Sequence, residues 1–263
     1  MSKSMATTEA ERPDLPLVRR LEAAGFRAWP AARVSFDGSW QLRMTPGHPS
    51  KRLNCLVPLD PFDERDMEMR VRSAERAFAA HGLRVALRQS PLCPAGLPAV
   101  LEGLGWHRGH ETLVMTAALD TLDLAGGMDH LPTHDIQRFS EACVRIDRAR
   151  DTTPATVASI IARIEPAAGL FLMEGGDGPT AVGICIQDFD LAGIQQVAVE
   201  RSARRQGIGR ELVASALRWA RLRGAQLGWL QVLADNAGAR RLYGAMGFTT
   251  AYSYAYWQKE AWT

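Results

Sequence analysis

A short basic loop with two glycines, Arg204-Arg205-Gln206-Gly207-Ile208-Gly209, lies between a strand-like and a helix-like segment of this 263-residue sequence. The first backbone N–H groups of a helix have no partner within the helix, and the helix dipole places partial positive charge there. Glycines have no Cβ, so a phosphate can approach the backbone closely. The arginines of the loop and Arg210 after it add bidentate donors. The pattern predicts a phosphate site; a glycine turn with solvated arginines is the alternative.

The spacing excludes two common phosphate-binding motifs. No Gly-Lys-Ser/Thr triplet follows the first glycine, so the loop is not a Walker A motif. Gly207-x-Gly209 is followed by Arg210, Glu211 and Leu212, without the third glycine of the dinucleotide fingerprint. The loop therefore needs a second pattern to identify its ligand.

That second pattern, Asn-x-x-Ala-x-x-x-Tyr-x-x-x-Gly-Phe, follows one helix and one strand later. The two patterns in this order resemble the GNAT superfamily of acyl-CoA-dependent N-acyltransferases, whose loop reads Gln/Arg-x-x-Gly-x-Gly/Ala. The resemblance is strongest over residues 135–257, about half of the chain. The residues that form the second pattern are Asn236, Ala239, Tyr243, Gly247 and Phe248.

The resemblance implies acetyl-CoA as co-substrate, and no metal. The backbone of Val197 and Val199 would pair with the pantetheine amides, for which their strand must part from its neighbour at 227–233. Backbone amides after Arg204 would hold the pyrophosphate. Arg240 and Arg241 could reach the adenosine 3′-phosphate, although a solvated helix face is the alternative for at least one of them. The implied cofactor-binding residues are Val197, Val199, Arg204, Arg205, Gln206, Gly207, Ile208, Gly209, Arg210, Asn236 and Arg240.

The implied reaction is direct attack by a primary amine on the acyl thioester. By resemblance, the backbone N–H of Val199 would meet the oxyanion, and Tyr243 would act as the general acid that protonates the coenzyme A thiolate. A core tyrosine packed beside the cleft is the alternative for Tyr243. A non-catalytic acyl-CoA sensor is the alternative for the whole protein.

The general base has no clear candidate. Some family members use a glutamate early in the central strand, where this chain has Gly193-Ile194-Gln195-Gln196. We assign Asp188 as a base that acts through water, and solvated strand-end carboxylates are the alternative. The other candidates are Asp190, Glu174 and a histidine from the first half or the linker, for example His130 or His134.

The elements that must position these residues follow from hydrophobic periodicity. The second half predicts strands at 194–199, 227–233 and 250–257 and helices at 208–223 and 237–246. In the last strand, Tyr252, Tyr254 and Tyr256 alternate onto one face, where they line an acceptor pocket or pack against the other half. The fold class is therefore α/β (α+β).

A constant offset of 142 residues relates the two halves of the chain. It places Gly105-Trp106 on Gly247-Phe248 and Gly82 on Gly224. It also places 62–67, with three acidic residues and no glycine, on the phosphate loop. The alternative is that α/β units of similar length simply look alike.

The repeat and the resemblance together predict a tandem-GNAT arrangement. Each unit would have a mixed, mostly antiparallel sheet flanked by helices, with splayed central strands in the second unit. The expected organisation is a degenerate GNAT-like domain at 1–120 without a phosphate loop, a linker at 121–134, and an acyl-CoA-binding domain at 135–263.

The amino-acid composition indicates which binding partners and which cellular compartment to expect. The chain has 31 basic and 29 acidic residues, a net charge of +2, which argues against a dedicated nucleic-acid binder. Four widely spaced cysteines indicate reduced thiols, and no apolar run is long enough for a membrane span. We expect a cytoplasmic protein whose partner is a small-molecule or peptide amine, with no nucleic acid and no membrane, and the sequence leaves a homodimer open.

Overall fold

The computed structural model describes residues 13–125, 127–147 and 152–259. Within these ranges, no helix combines the length and the apolar character that crossing a membrane requires. The strands are β1 (Arg33–Asp37), β2 (Trp40–Met44), β3 (Cys55–Pro58), β4 (Ala86–Gln89), β5 (His107–Ala118), β6 (Ala167–Gly175), β7 (Gly178–Asp188), β8 (Leu191–Val199), β9 (Leu227–Leu233) and β10 (Thr249–Gln258). The helices are α1 (Leu15–Ala28), α2 (Met67–Ala79), α3 (Leu97–Gly103), α4 (Ile136–Asp147), α5 (Pro154–Ile161), α6 (Ile208–Arg221) and α7 (Ala237–Ala245), with a 3₁₀ turn at Arg201–Ala203.

The ten strands form one sheet in the order β1-β2-β3-β4-β10-β5-β9-β8-β7-β6. The pairs β3–β4 and β8–β9 are parallel, and the other neighbouring pairs are antiparallel. The predicted class, a mixed and mostly antiparallel sheet flanked by helices, is confirmed. The structure adds that the strands of both halves are continuous in a single sheet.

The two halves exchange their last strands. The 142-residue offset relates β4 to β9 and β5 to β10. In the sheet, however, β4 pairs with β10 and β9 pairs with β5. The exchanged strands β5 and β10 lie antiparallel to each other at the centre, with Tyr254 opposite Thr112. Each half therefore completes its sheet with a strand from the other half.

Helices cover both faces of the sheet. One face packs α1, α4 and α5 against residues such as Ile184, and the other packs α6 and α7 against residues such as Cys185. Gly183 permits the close approach of α6, because a Cβ there would lie 2.5 Å from Leu212 Cδ2. The four cysteines are buried and free.

The segment between the halves is packed along α6. Leu122 and Leu124 are buried in the core beneath this helix. Ser215 Oγ donates to the Met128 carbonyl at 3.1 Å, and Arg218 donates to the Leu124 carbonyl. The described part of the predicted linker is thus attached to the second half.

Helix α1, which the sequence analysis did not assign, joins the two halves. Asp14 caps it by accepting a hydrogen bond from the Leu17 N–H at 3.2 Å. Its buried Glu22 lies 2.6 Å from Arg88 Nη2 on β4 and accepts from the Tyr252 hydroxyl on β10 at 2.7 Å. One buried carboxylate therefore holds α1, β4 and β10 together.

Candidate active site

Strands β8 and β9 part halfway along their length. Their parallel pairing runs from Leu191 opposite Leu227 to Ile194 opposite Leu230 and then ends, although both strands continue. A cavity of about 460 Å³ opens where they separate. The predicted splay of the central strands is present. The cavity is lined by Ser50, Lys51, Arg52, His110, Thr112, Ile194, Gln195, Gln196, Val197, Gln231, Val232, Leu233, Asn236, Ala239, Tyr243, Tyr254 and Tyr256.

A bulge in β8 accompanies the parting of the strands. Gln196 has φ of 51°, and the register with β7 shifts at this point. Farther along, Glu200 N–H donates to the Thr180 carbonyl at 2.8 Å. Because an antiparallel ladder alternates, the backbone groups of Val199 then face away from β7. Val197 lines the cavity, and on the edge of Val199 that faces away from β7 the carbonyl accepts a hydrogen bond from Arg204 Nε at 3.0 Å.

The turn before α6 leaves backbone donors available. The first backbone hydrogen bond of the helix runs from Glu211 N–H to the Gly207 carbonyl at 3.0 Å. The N–H groups of Ile208, Gly209 and Arg210 precede it, so they lie outside the helical ladder. Gly207 has φ of 83°, and a Cβ placed on it would meet no atom within 4 Å. The turn is thus open and presents the positive end of α6.

The side chains around this turn mostly contact protein groups. Arg204 Nε donates to the Val199 carbonyl at 3.0 Å, and Gln206 Nε2 donates to the Ser202 carbonyl at 3.0 Å. Arg210 lies 3.7 Å from an Asp123 carboxylate oxygen, and Arg205 is exposed. The positive charge that this turn offers to an anion therefore comes mainly from the main-chain N–H groups at the start of α6. On α7, Arg240 Nη1 likewise donates to the Ala234 carbonyl at 2.9 Å.

Helix α7 places Asn236 and Tyr243 on the cavity wall. Asn236 caps the helix by accepting a hydrogen bond from the Ala239 N–H at 3.0 Å, which leaves its amide NH₂ for other partners. Tyr243 is 7% exposed, and burial raises its pKa to about 12. Its phenol therefore keeps its proton well above neutral pH.

The base candidates chosen from the sequence lie elsewhere. Asp188 stands at the far end of β7, where Arg27 Nε and Nη2 are each 2.7 Å from its Oδ2, and it does not line the cavity. The sequence analysis could not anticipate this ion pair, because it had not assigned the helix that carries Arg27. Of the other candidates, Asp190 pairs with Arg20, Glu174 with Arg138 and His130 with Glu211, and His134 lies with His130 beside α6.

The first half supplies cavity residues that the sequence analysis missed. His110 lies in a bulge of β5 with φ of 48°, and it lines the cavity. Ser50, Lys51 and Arg52 come from the loop between β2 and β3. A histidine from the first half was expected in general terms, but the bulge that positions His110 has no signal in the sequence.

The tyrosines of β10 both pack and line the cavity. Tyr254 and Tyr256 lie on its wall, and the Tyr254 hydroxyl donates to Gln231 Oε1 at 3.0 Å. The guanidinium of Arg88 lies 3.2 Å from the centroid of the Tyr254 ring. The cavity therefore extends from α7 on one face of the sheet to these tyrosines on the other.

Sequence comparisons relate the chain to acetyltransferases. The family model described as "Probable histone acetyltransferase Rv0428c C-terminal" matches residues 17–257. The "Uncharacterized N-acetyltransferase YobR" of Bacillus subtilis (strain 168) is 25% identical over 244 residues, covering 88% of this chain and 94% of the relative.

Solved structures share the fold at low sequence identity. A GCN5-related N-acetyltransferase from Kribbella flavida superposes with a TM-score of 0.72 at 20% identity, covering 95% of this chain and 96% of that one. A tandem GNAT protein from the clavulanic acid biosynthesis pathway has a TM-score of 0.63 at 13% identity and covers 98% of both chains. The family match over nearly the whole chain, with the parted strands and the open glycine turn, establishes that this protein belongs to the GNAT family of N-acetyltransferases.

Proposed function

We propose that this protein transfers an acetyl group from acetyl-CoA to a primary amine by direct attack. The observation that carries this proposal is the separation of β8 from β9 around a cavity, with the open Gly207 turn nearby and Tyr243 on the wall. A free strand edge suits the amides of pantetheine, and a helix N-terminus suits a diphosphate. The residues present thus fit coenzyme A.

The binding roles follow from these positions. The backbone of Val197 and Val199 would pair with the pantetheine arm, and the amides of residues 206–210 would hold the diphosphate. The amide NH₂ of Asn236 is available to the arm, because its Oδ1 already caps α7. When bound, acetyl-CoA supplies the acyl thioester that the amine attacks.

His110 is the proposed general base. An ammonium has no lone pair, so the amine must lose a proton before it attacks. No carboxylate lines the cavity among the described residues, and His110 is the one imidazole on its wall in that part of the chain. Histidine changes its charge near neutral pH, which suits it to accept this proton directly or through water.

Tyr243 and Val199 complete the proposed machinery. The Tyr243 phenol lines the cavity in its protonated form and would donate to the departing sulfur. The Val199 N–H, turned away from β7, would donate to the thioester oxygen as negative charge develops there. The two donors lie on different elements, Tyr243 on α7 and Val199 on β8, which is one of the two parted strands.

The experiment is release of free thiol from acetyl-CoA in the presence of a panel of amines. We expect amine-dependent release by the wild type and a loss of about 100-fold in His110→Gln near neutral pH. The loss should shrink at higher pH, where more of the amine is already neutral. His107→Gln, an exposed histidine on the same strand that does not line the cavity, is the matched control.

Acetyl-CoA binding without thiol release for any amine would contradict the proposal. It would favour the acyl-CoA sensor that the sequence left open. An equal loss in both histidine variants would remove His110 from the mechanism.

A further inference from the structure

The end of the cavity formed by the first half is basic. Lys51 and Arg52 lie on its wall beside neutral polar groups such as Thr112, Gln195 and Tyr254. Among the described residues that line the cavity, none is an aspartate or a glutamate. A cationic acceptor would therefore meet like charge here, and no carboxylate to bind it.

Arg52 is held in place by neutral partners. Its Nη1 donates to Gln195 Oε1 at 2.9 Å, and its Nη2 lies 3.5 Å from Gln196 Oε1. Its guanidinium also lies 5.0 Å from the centroid of the Trp29 ring. No ion pair neutralises Arg52 within the described ranges, so a fixed positive charge remains at the cavity wall. Such a guanidinium is preorganised to bind an oxyanion.

A buried asparagine fastens the loop that carries these cations. Asn54 is fully buried, and its Oδ1 accepts a hydrogen bond from the Thr45 N–H at 2.7 Å. Its Nδ2 donates to the His48 carbonyl at 2.7 Å. One side chain therefore fastens both ends of the turn between β2 and β3, which lowers the cost of ordering the loop when a ligand binds Arg52.

Three carboxylates that contact α1 or lie on it are bound to arginines. Glu22 pairs with Arg88 inside the core, and Asp188 pairs with Arg27. Asp190 pairs with Arg20. These ion pairs fasten α1 to the sheet, and none of the three carboxylates lines the cavity.

We infer that the acceptor is an amine that carries its own oxyanion, a carboxylate or a phosphate, which Arg52 binds with help from Lys51. This inference rests on the proposed acetyl transfer. In that reaction the amine nitrogen forms the new bond to the acetyl carbon as the carbon–sulfur bond breaks, and the amine proton leaves to the base. The product is an N-acetylated amide that keeps its anionic group.

The local electrostatics agree with this assignment. Burial lowers the pKa of Lys51, and burial together with the charge of Arg52 lowers the pKa of His48. Both shifts disfavour the charged forms of these two side chains. A bound oxyanion would favour the charged form of Lys51.

Matched amines test the inference. Each pair differs only in the anion: L-amino acids against their carboxamides, and O-phosphoethanolamine against ethanolamine, with spermidine and a lysine-rich peptide as cationic acceptors. Thiol release gives kcat/KM, and calorimetric titration into the protein saturated with coenzyme A gives affinity without turnover. We expect the anionic member of at least one pair to be favoured about 10- to 100-fold in both measurements. The pair that discriminates identifies carboxylate or phosphate.

Two variants connect the preference to the loop. Arg52→Gln should remove most of the preference for the anionic acceptor while its neutral partner changes less than about threefold, and Lys51→Gln should reduce the preference in part. Arg33→Gln, an exposed arginine on β1, should leave the preference unchanged. Acetyl-CoA should bind all three variants as it binds the wild type, which separates a failure of this inference from a failure of the proposed function.

Three results would overturn the inference. One is the absence of any preference within the pairs, and another is faster turnover of spermidine or the lysine-rich peptide. The third is an Arg52→Gln variant that loses transfer from succinyl-CoA to a neutral amine while acceptor selectivity is unchanged, because the anion would then belong to the acyl group.

Discussion

Tyr243, the proposed proton donor, shows how burial keeps a phenol protonated. It lines the cavity from α7, and its ring lies edge-on to Phe248 with the centroids 6.2 Å apart. Burial raises its pKa to about 12, so the protonated form dominates at every pH at which an amine is acetylated quickly. The residue is therefore ready to donate without first being reprotonated.

Replacement of Tyr243 by phenylalanine should lower kcat without changing its dependence on pH. We expect a decrease of about 100-fold with little change in acetyl-CoA affinity. Since a pKa of about 12 lies above the usual assay range, the ratio of wild-type to variant kcat should stay constant from mildly acidic pH to about pH 10. The measurement is kcat against pH for both proteins. A ratio that falls toward one as pH approaches neutrality would show that Tyr243 is not the proton donor.

The sequence indicated some cavity residues and missed others for a physical reason. Asn236 and Tyr243 belong to one short pattern on one helix, so local spacing places them together. His110 and Arg52 reach the cavity only through tertiary packing of the other half. Asp188 lies outside the cavity lining and pairs with Arg27, which belongs to a helix far away in the sequence.

At the scale of elements, strands and helices with strong periodicity were predicted closely. The strand at 227–233 is observed as β9 with the same limits, and the helix expected at 208–223 is α6, Ile208–Arg221. Apolar residues that recur at helical spacing in α6 and are buried in the structure, such as Leu212, Ala216 and Ala220, explain this agreement. The edge strand β1 was not assigned, although Val34 and Phe36 alternate with polar residues in the sequence, and the structure shows that all five of its residues are exposed.

The two bulges beside the cavity could not be predicted in the same way. A bulge needs two residues to oppose one on the neighbouring strand, so it depends on the register of pairing. Gln196 and His110 both take positive φ values without being glycine. At these two positions β8 and β5 change direction beside the cavity. The location of each bulge depends on how the strand pairs with its neighbours.

At the scale of the whole molecule, the exchanged strands make the two halves interdependent. The 142-residue repeat shows which strands are equivalent, but it does not show which strands pair. β10 lies between β4 and β5, and β5 lies between β10 and β9. The division of the sequence into domains at 1–120 and 135–263 stays a prediction. The sheet contains strands from both of these segments.

This arrangement predicts that the full chain unfolds in one cooperative transition. Separating the halves would expose the edges of β4 and β9 and would remove the Tyr252 hydroxyl from the buried Glu22 carboxylate, a hydrogen bond to a charged group that is worth about 1.5 to 3 kcal/mol. The measurement is equilibrium unfolding in urea, followed by tryptophan fluorescence and far-ultraviolet circular dichroism. Coincident curves are expected. Two resolved steps would mean that the halves are stable independently.

The binding of coenzyme A at the turn before α6 is the central claim, and a pair of glycine variants tests it most directly. Gly207 and Gly224 both have positive φ, and a Cβ on either would meet no atom within 4 Å. Leucine at either position should therefore cost a similar amount of stability, about 1 to 2 kcal/mol. Only at Gly207 would the new side chain cover the amides that precede the helical ladder.

The measurement is calorimetric titration of acetyl-CoA into the wild type, Gly207→Leu and Gly224→Leu. We predict saturable binding of one acetyl-CoA per chain by the wild type and by Gly224→Leu, and a loss of at least about tenfold in affinity for Gly207→Leu. Wild-type protein that binds no acetyl-CoA, or a Gly207→Leu variant that binds it as tightly as Gly224→Leu does, would contradict the account.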